Sequence, residues 1–486
     1  MELLNKQFII QNNLVESVQF DLPERVIQFG TGVLLRGLVG YVIDKANKKN
    51  KFNGRIVVIK TTNSDASDFE KQDGVFTHNE QGLENGAVFK QTTINTSISR
   101  VISATTHWKD VLKLAENLNF DLIVSNTTEA GLKYVVEDVL TATPPQSFPL
   151  KLMRLLYERY NYAAGIGNGF IIIPTELLVE NGDLLKKFVI QHAQANNLPE
   201  QFIVWLNTEC RFCNSLVDRI VTGAPNETEK ENLEKQLGYT DNLMINSESF
   251  LLWAIEGDAY VREKLSFSEI DKRVVIADNI ENYRERKLRI LNGGHTICVP
   301  FAFLKGFRTV GEMMNDATMK VWVEDILKNE IATTLNFDAT DFTNSVLDRF
   351  RNPFIEHKLI NILFQSSFKM NTRNTITIVR YFEKFGTLPQ KMVLGFAAYL
   401  IFTKPIKQEG DKFFGQTISG EVYPIQDAFA AYFLKVWSET DTRSIESIQN
   451  FVQNVLNNNS IFDDRLKSIP EFIQRVVQKI YEIFNS

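Results

Sequence analysis

The first half of the chain alternates short apolar runs with amphipathic stretches. Several runs are rich in β-branched or aromatic residues and are bounded by turn residues, which is the pattern of buried strands. These runs are Arg25–Phe29, Arg55–Ile59, Leu122–Ser125, Phe170–Ile173, Phe202–Trp205 and Val274–Ala277. Between them, Leu150–Tyr160 and Asp183–Ala193 have helical periodicity. Strands that alternate with helices predict a parallel sheet covered by helices.

The second half, from about residue 280, is dominated by helical periodicity. The predicted helices are Val310–Phe337, Phe342–Phe350, Ile355–Phe364, Thr375–Phe385, Gln390–Phe402, Gln426–Ser438 and Ile445–Leu456. The exception is Lys412–Tyr423, whose glycines and alternating pattern predict a small hairpin or a loop over a site. We therefore predict a boundary at residues 278–285, between a first domain over 1–280 and a mostly helical domain over 281–486.

Composition narrows the class of protein. The 486 residues are 44% hydrophobic and 23% charged, as in an ordinary soluble protein. A formal net charge of −6 disfavours a dedicated nucleic-acid binder. The longest apolar run, Val393–Phe402, is too short to span a bilayer, and Met1–Gln11 lacks the pattern of a signal peptide. We expect a cytoplasmic protein without a membrane or nucleic-acid partner.

Three cysteines do not form a disulfide framework. Cys210 and Cys213 make a C-x-x-C pair, a spacing found in redox and zinc sites. The other cysteine is Cys298, and the five histidines are scattered along the chain. We therefore interpret the pair as ordinary thiols and expect no metal.

The first strand runs directly into a glycine turn. Glycines allow a backbone to approach a pyrophosphate closely, and the following helix N-terminus offers unpaired N–H groups. Leu35 replaces the third glycine of the fingerprint, so a glycine turn of any α/β protein is the alternative. The strand and the helix on either side favour a dinucleotide site. The segment consists of Ile27, Gln28, Phe29, Gly30, Thr31, Gly32, Val33, Leu34, Leu35 and Arg36.

Two other strand ends bear on the cofactor. The second strand ends at Lys60 rather than at the acid that usually holds the adenosine ribose of NAD, and Asp65 is the nearest carboxylate. Lys60 fits either the phosphate of NADP or a solvated surface lysine, so the spacing leaves the preference open. Asn126 and Thr127 follow another strand and fit a ligand-binding strand end, a helix cap, or both.

The segment from Glu285 to His295 carries the candidate chemistry. In a helix Asn292 and His295 share a face, and Lys287 could reach that face from about one and a half turns away. These residue types suit alcohol–ketone chemistry, because a neutral lysine can take a hydroxyl proton and an amide N–H can stabilise an alkoxide. A basic helix that ends in a glycine-rich break is the alternative.

Together these motifs resemble the long-chain mannitol dehydrogenase family of zinc-independent polyol and uronate dehydrogenases. The resemblance covers residues 26 to about 357. It rests on the glycine turn with Arg36, Ser125–Gly131, Ser215–Val221, the K-x4-N-x2-H spacing of Lys287, Asn292 and His295, and Arg349–Pro353. Ile171–Leu177 and Tyr423–Asp427 are similar to the uronate branch of the family. The implied fold class is α/β, with an N-terminal Rossmann-like parallel-sheet domain followed by a mostly α-helical C-terminal domain.

The resemblance implies hydride transfer between NAD and a secondary alcohol carbon, without a metal. It implies cofactor contacts along residues 27–34 and at Arg36, Asn126, Thr127 and Glu129. Lys287 would be the general acid–base, Asn292 would bind the substrate oxygen, and His295 would hydrogen-bond the reacting hydroxyl or its neighbour. A lysine pKa of about 10.4 must then be lowered by burial or positive charge, for which Arg286 and Arg289 are candidates.

For the substrate, the resemblance implies a small sugar acid. A carboxylate needs a cationic partner, and Arg349 is the first candidate, with Arg351, His357, Lys369 and Arg373 as further ones. Asp218 would contact the substrate, with Arg219 near it, and a structural ion pair is the alternative. The pair Glu176-Leu177 replaces an Asp-Asn pair of the mannitol branch, so Asn292 needs another donor at the oxyanion.

Two rival functions stay open. One is another activity of the same family, namely reduction of a different ketouronate or oxidation of mannitol or its phosphate. The other is a nucleotide-binding protein without catalysis. The oligomeric state is also left open.

Overall fold

The computed structural model describes residues 1–63, 65–127, 130–136 and 140–485. The chain divides into two compact units. Unit 1 comprises Met1–Gln81 and Val88–Glu281, and unit 2 comprises Gly82–Ala87 and Asn282–Ser486. Within the described residues, no helix is both long enough and apolar enough to cross a membrane.

Unit 1 is built on a parallel sheet of six strands. In chain order these are β1 (Glu24–Phe29), β2 (Arg55–Lys60), β3 (Ile98–Ser103), β4 (Leu122–Ser125), β5 (Ile171–Pro174) and β6 (Arg211–Phe212). Their spatial order is β3-β2-β1-β4-β5-β6, and each neighbouring pair is parallel. This is the strand order of the Rossmann fold, in which ligands bind where the order reverses, at the carboxyl ends of β1 and β4. The predicted fold class is confirmed.

Both faces of this sheet are buried, because its central strands place apolar residues on both faces. Val26 and Val124 belong to one core, and Ile27 and Ile123 belong to the other. Alternate residues of a strand point to opposite faces, so each strand contributes to both cores. Burial of a large apolar side chain stabilises the fold by about 1.5–3 kcal/mol, which makes these two cores the main source of stability.

Unit 1 contains helices that cover this sheet and helices that pack beside its smaller sheets. They are Lys6–Gln11, Val33–Leu35 continued by the π-helical Arg36–Gly40 and by Tyr41–Asn47, Ser67–Lys71, Trp108–Lys113, Phe148–Tyr162, Asn181–Ala195, Glu200–Thr208, Glu227–Leu237 and Ala259–Lys264. The predicted strand Phe202–Trp205 is wrong, since it lies inside Glu200–Thr208. Its buried residues Phe202, Trp205 and Leu206 are spaced by three and four, which is the helical period.

Further strands of unit 1 form separate sheets. One contains Val221–Gly223, Ile245–Glu248, Phe76–Glu84 and Ala87–Asn95, a second contains Ser215–Asp218, Leu252–Glu256 and Val274–Ala277, and Glu2–Leu3 pairs with Tyr239–Thr240. The predicted strand Val274–Ala277 is confirmed. Ala87–Asn95 was not predicted, because its largely exposed, polar residues lack an apolar stripe.

Unit 2 is mostly helical. Its α-helices are Glu281–Arg286, Gly294–Leu304, Val310–Asn315, Ala317–Asp325, Thr340–Phe350, Leu359–Ile362, Ser366–Met370, Ile376–Phe385, Gln390–Phe402, Ala430–Ser438, Ile445–Leu456 and Phe472–Asn485. Three segments are π-helical, Lys287–Gly293, Ile326–Ile331 and Asn371–Thr375. Lys407–Glu409, Lys412–Gln416 and Val422–Ile425 form an antiparallel sheet, which confirms the hairpin predicted at Lys412–Tyr423.

One predicted helix of unit 2 is wrong as a single element. The chain breaks at Asp316 within Val310–Phe337, and the Asp316 carboxylate caps the next helix by accepting a hydrogen bond from the Met319 N–H at 2.8 Å. An aspartate that accepts from the backbone in this way favours a new helix start over continuation.

Of the other predicted helices, two are shorter than predicted and two have the predicted bounds. Ile355–Phe364 is helical only over Leu359–Ile362, and Gln426–Ser438 only over Ala430–Ser438. Gln390–Phe402 and Ile445–Leu456 are confirmed at both ends.

A buried ion pair joins elements of unit 1. The Arg219 guanidinium lies 3.1 Å from the Glu80 carboxylate, and the Arg219 side chain is fully buried. It also donates to the carbonyl oxygens of Gly37 and Glu248, and it stacks over the ring of Tyr41 at 4.4 Å. Arg219 thus connects the helix after the glycine turn to the sheet that contains Phe76–Glu84 and Ile245–Glu248, which is a structural role for this residue.

We expect Arg219→Met to destabilise the protein by about 3 kcal/mol, because it removes the buried partner of Glu80 at 3.1 Å and leaves this carboxylate with the longer contact to Arg273 at 3.5 Å. Urea unfolding followed by circular dichroism measures the loss. The matched control is Lys235→Gln, which removes an exposed pair with Glu231 and should cost less than about 1 kcal/mol. Equal midpoints for the two variants would show that the buried pair does not stabilise unit 1.

Candidate active site

The two glycines of the turn are required for different reasons. Gly30, after β1, has φ +116°, and a Cβ there would lie 3.1 Å from the Asn126 carbonyl oxygen. Gly32 has φ −58°, and a Cβ there would meet no atom within 4 Å. Protein packing therefore requires glycine at Gly30 but not at Gly32. The open space over Gly32 fits a pyrophosphate that approaches the backbone.

Gly37 allows the close helix packing for which the dinucleotide-binding motif has a third glycine. The motif places that glycine at the position of Leu35. A Cβ on Gly37 would lie 2.7 Å from Val221 Cγ2, so only glycine lets the helix lie this close to the Val221–Gly223 strand. The third fingerprint glycine of a Rossmann turn has this function. The sequence analysis missed it because the glycine stands two positions later than the motif places it.

Side chains of the strand before the turn lie in the core. Ile27 and Phe29 are fully buried, and the Gln28 amide donates to the Gly30 carbonyl at 2.9 Å. Val33 and Leu34 pack partly buried against the core, and Thr31 is half-buried. These residues can reach a cofactor through their backbone groups, while the side chains of the strand residues hold the turn in place.

Arg36, predicted to contact the cofactor, has a packed environment within unit 1. Its guanidinium donates to the Leu243 carbonyl and lies over the rings of Phe69 and Phe76. Burial lowers the pKa of Arg36 to about 10. This geometry favours an anchoring role for Arg36.

The end of β4 is held by the carboxylate of Glu176. Glu176 accepts hydrogen bonds from the Thr127 N–H at 2.8 Å and from the hydroxyls of Thr127 and Ser125. The Asn126 amide donates to the Thr175 carbonyl and hydroxyl. These bonds fix the backbone beside Gly30. Burial raises the pKa of Glu176.

Two related predictions concern neighbours of this strand end. Glu129, predicted to bind the cofactor, lies outside the described residues. The Leu177 side chain is exposed and apolar, so this position offers no side-chain donor to an oxyanion.

A cavity of about 670 Å³ lies at the carboxyl ends of β2 and β3. Its volume is typical of small-molecule sites, and the adenosine half of a dinucleotide binds at this end of a Rossmann sheet. Lys60, Asp65, Arg100 and His107 are among its lining residues. Lys60 is 6% exposed, so it is not the solvated surface lysine that the sequence allowed. Because both a lysine and an aspartate line the cavity, the residues fit NAD and NADP alike.

In unit 2, the three predicted catalytic residues lie on one unusual helical segment. Lys287 and Asn292 fall within the π-helical Lys287–Gly293, and His295 follows in the helix Gly294–Leu304. In an α-helix, side chains five residues apart point about 140° apart. In a π-helix the hydrogen bonds join residues five apart, so position 292 lies over position 287. The π register therefore brings the lysine and the amide to one face, which the regular spacing did not predict.

A second π-helical segment, Asn371–Thr375, is hydrogen-bonded to the first. The Asn374 amide donates to the Gly293 carbonyl at 3.0 Å. In the other direction, the Arg289 guanidinium donates to the carbonyl oxygens of Thr372 and Arg373 at 2.9 and 2.8 Å. Side chains of each segment thus donate hydrogen bonds to backbone carbonyls of the other. These bonds stabilise both π-helical segments.

Arg286 and Arg289, the candidates for lowering the Lys287 pKa, are both engaged by neighbours. Arg289 forms an ion pair with Glu285 at 3.0 Å. Arg286 lies over the rings of Tyr283 and Phe342 at 4.5 and 4.7 Å. These contacts fix the packing of Arg286 and Arg289.

His295 is held in place by aromatic contacts. Its ring stacks on Phe350 with centroids 4.0 Å apart, and the His357 ring meets it edge to face at 5.2 Å. Its Nε2 atom is buried and has no hydrogen-bond partner among the described residues. Burial, followed by the charges of neighbouring groups, lowers the pKa of His295 well below the ordinary value. A neutral imidazole with an unpartnered buried nitrogen is suited to a substrate hydroxyl.

Three cations, Arg349, Arg373 and Lys369, are among the groups whose charges lower the His295 pKa, and these three are called the cationic cluster. After burial, the contributors in decreasing order are His357, Arg349, Arg373 and Lys369. Structure thus brings together the predicted substrate residues Arg349 and His357 with the predicted catalytic His295. A cluster of this kind attracts a negatively charged ligand.

Arg351 and Asp218 lie in other settings. Arg351 forms ion pairs with Glu324 at 2.8 Å and Asp348 at 3.7 Å, so its charge is already compensated within unit 2. Asp218 belongs to unit 1, where it ends the strand Ser215–Asp218 and is 8% exposed.

The C-x-x-C pair has the properties of unreactive thiols. Cys210 and Cys213 are buried and not disulfide-bonded, and burial raises the pKa of each to about 12. A thiol needs a lowered pKa for nucleophilic or redox chemistry. Among the described residues, no three His, Cys, Asp or Glu side chains are arranged to hold a metal ion.

Comparisons with known proteins identify the family of both parts of the chain. The family model of the mannitol dehydrogenase Rossmann domain matches residues 24–269, and that of the mannitol dehydrogenase C-terminal domain matches residues 279–484. An altronate oxidoreductase of Pectobacterium atrosepticum is 36% identical over 472 residues, covering 95% of this chain and 94% of the relative. The same-named protein of Shigella flexneri is 36% identical over 466 residues, with 94% of each chain covered.

Solved structures share the fold. The mannitol 2-dehydrogenase of Pseudomonas fluorescens, in a ternary complex with NAD and D-mannitol, has a TM-score of 0.67 at 21% identity and covers 100% of this chain and 97% of its own. A D-sorbitol dehydrogenase in substrate-free form has a TM-score of 0.76 at 19% identity and covers 96% and 93%.

The two matched domains define a dehydrogenase with a Rossmann domain for an NAD-type cofactor and a helical C-terminal domain. The chain belongs to the mannitol dehydrogenase family, and it is a dehydrogenase of secondary alcohols.

We expect Gly32→Ala to lower NADH affinity about 10-fold or more while leaving the thermal midpoint unchanged, because the added Cβ meets no protein atom but occupies the space over the turn. Fluorescence titration with NADH and a thermal melt measure the two quantities. Gly30→Ala is the matched comparison and should lower both, since its positive φ and the Asn126 carbonyl penalise any side chain. Unchanged NADH affinity in Gly32→Ala would place the pyrophosphate elsewhere.

Proposed function

We propose that this protein reduces D-tagaturonate to D-altronate with NADH, and catalyses the reverse oxidation with NAD, in hexuronate breakdown. The observation that carries the proposal is the segment of unit 2 on which Lys287, Asn292 and His295 stand beside a cationic cluster. Relatives that are 36% identical over about 95% of the chain carry the name altronate oxidoreductase, which supports altronate as the alcohol of this pair.

Three features of unit 1 would hold the cofactor. The backbone of the glycine turn and the helix N-terminus after it would bind the pyrophosphate, with the end of β4 beside them. The cavity that Lys60 and Asp65 line would take the adenosine half. When bound, the nicotinamide supplies or accepts the hydride at the carbinol carbon.

Lys287 would move the proton of the reaction. During reduction the Lys287 ammonium donates a proton to the ketone oxygen as the carbon gains the hydride, and during oxidation the neutral amine removes it from the hydroxyl. No metal takes part in this scheme. The lysine must lie close to that oxygen in the complex, because general acid–base catalysis requires hydrogen-bond reach.

Asn292 and His295 would orient the same oxygen and its neighbour. Among the described residues no side chain hydrogen-bonds to the Asn292 amide, so its N–H can point to the substrate oxygen and stabilise negative charge there. The neutral His295, with its unpartnered Nε2, would hydrogen-bond an adjacent hydroxyl. Arg349 and His357 would contact the rest of the sugar acid, with Asp218 of unit 1 as a further ligand.

The substrate is tested by following NADH consumption with D-tagaturonate, D-fructuronate and D-fructose in parallel. We expect rapid turnover of D-tagaturonate and slow or no turnover of the other two. Preference for D-fructuronate or D-fructose would keep the chemistry and replace the substrate. No turnover of any ketose with NADH or NADPH would favour a nucleotide-binding protein without catalysis.

We expect Lys287→Ala to lower kcat about 100-fold or more, the usual contribution of general acid–base catalysis, with NADH affinity unchanged. Steady-state kinetics and NADH titration measure the two effects. The matched control is Lys305→Ala, which removes an exposed lysine of the same unit and should keep full activity. A Lys287→Ala enzyme with near-normal turnover would disprove the assigned role.

A further inference from the structure

Two cations of unit 2 stand one helical turn apart beside the predicted catalytic residues. Lys369 lies in Ser366–Met370 and Arg373 in the π-helical Asn371–Thr375 that packs on the catalytic segment. The Arg373 Nη1 group donates to the Thr296 hydroxyl at 3.1 Å and to the Asn292 carbonyl at 3.5 Å. Arg373 is thus fixed to the backbone of the residue that is proposed to bind the reacting oxygen.

Neither cation has an acidic partner. Within the part of the chain that the structure describes, no carboxylate lies within 4.0 Å of Lys369 or Arg373. Lys369 donates to the Ile362 carbonyl at 3.0 Å. The nearest acid to influence Lys369 is Asp427, which instead caps the helix by accepting from the Ser367 N–H at 2.8 Å.

Other arginines of the same unit have carboxylate partners. Arg351 pairs with Glu324 and Asp348, and Arg289 and Arg380 both pair with Glu285. The contrast separates these structural pairs from Lys369 and Arg373. A partly buried cation loses hydration, and an anion is the partner that offsets this cost best.

Both cations act electrostatically on His295. Their charges help to lower the pKa of His295, and burial lowers the pKa of each of them in turn. Hydrogen bonds to described residues use only the Nη1 group of Arg373, so Nε and Nη2 remain for a second partner. A guanidinium edge of this kind matches a carboxylate in a bidentate fashion, and the Lys369 ammonium adds a point charge.

We propose that Lys369 and Arg373 form the receptor for the carboxylate of the substrate and so set the preference for sugar acids over neutral sugars. This proposal rests on the proposed function for the reaction itself. It assigns the two side chains a binding role distinct from the proton transfer at Lys287 and from the hydroxyl contacts of His295.

The test measures binding without turnover. D-altronate and D-altritol, which differ by a carboxylate in place of a hydroxymethyl group, are titrated by calorimetry into the enzyme saturated with NADH, where neither alcohol can react. We expect the wild type to bind D-altronate at least about 100-fold more tightly. Lys369→Gln and Arg373→Gln should each reduce this ratio about 10- to 100-fold, chiefly by weakening D-altronate.

Two variants guard against a merely structural effect. Arg373→Lys keeps the charge and should recover part of the ratio. Lys384→Gln removes a lysine that, like Lys369, donates to a backbone carbonyl, in this case that of Thr333, and it should leave the ratio unchanged. A loss of both ligands in equal measure in Arg373→Gln, with no recovery in Arg373→Lys, would mean that Arg373 supports the fold and not the carboxylate.

The outcome can be separated from that of the proposed function. If the wild type turns over no ketouronate yet binds D-altronate through Lys369 and Arg373, the reaction assignment fails and the receptor stands. If it reduces D-tagaturonate while the binding ratio is unaffected by either variant, the receptor is disproved. Tighter binding of D-fructose 6-phosphate than of D-altronate, lost in both variants, would replace the carboxylate by a phosphate and overturn the proposal.

Discussion

The π register of Lys287–Gly293 is the constraint on which the proposed catalytic arrangement depends. A regular α-helix would turn the lysine and the asparagine away from each other, and the five-residue repeat of the π-helix stacks them. Such a turn leaves backbone carbonyls without their usual partners. The cost is offset by the reciprocal bonds between Arg289 and the Asn371–Thr375 segment and between Asn374 and Gly293. Catalytic geometry and structural stability therefore reside in the same set of hydrogen bonds.

Much of the fold could be predicted because most strands of the Rossmann sheet are short apolar runs bounded by turn residues. The strand ends, the glycine turn and two long helices follow from local pattern alone. Phe202–Trp205 could not be read correctly, since aromatic residues suit strands and helix cores equally and only their three- and four-residue spacing separates the two. The break at Asp316 depends on a single cap, which competes with a strong helical pattern on either side.

The residues proposed for catalysis are named from the sequence and stay a prediction, whereas their common helical segment became visible only in the structure. Spacing in a chain predicts a face only if the helix type is known, and π turns have no simple signature. The ion-pair partner of a charged residue also cannot be predicted from the sequence. Arg351 and Arg373 are both candidate substrate residues there, and only the structure shows that Arg351 pairs with Glu324 and Asp348. The role of Gly37 likewise depends on a strand nearly two hundred residues away.

The chain passes between the two units three times, after Gln81, after Ala87 and after Glu281. Gly82–Ala87, the tip of a hairpin of unit 1, is counted with unit 2, where the Gly86 N–H donates to the Asp348 carboxylate at 3.2 Å. A crossover between related genes near codon 281 would therefore separate this tip from the helix it bonds to. An N-terminal half taken from a relative would keep this hydrogen bond only if its tip fitted the helix Thr340–Phe350.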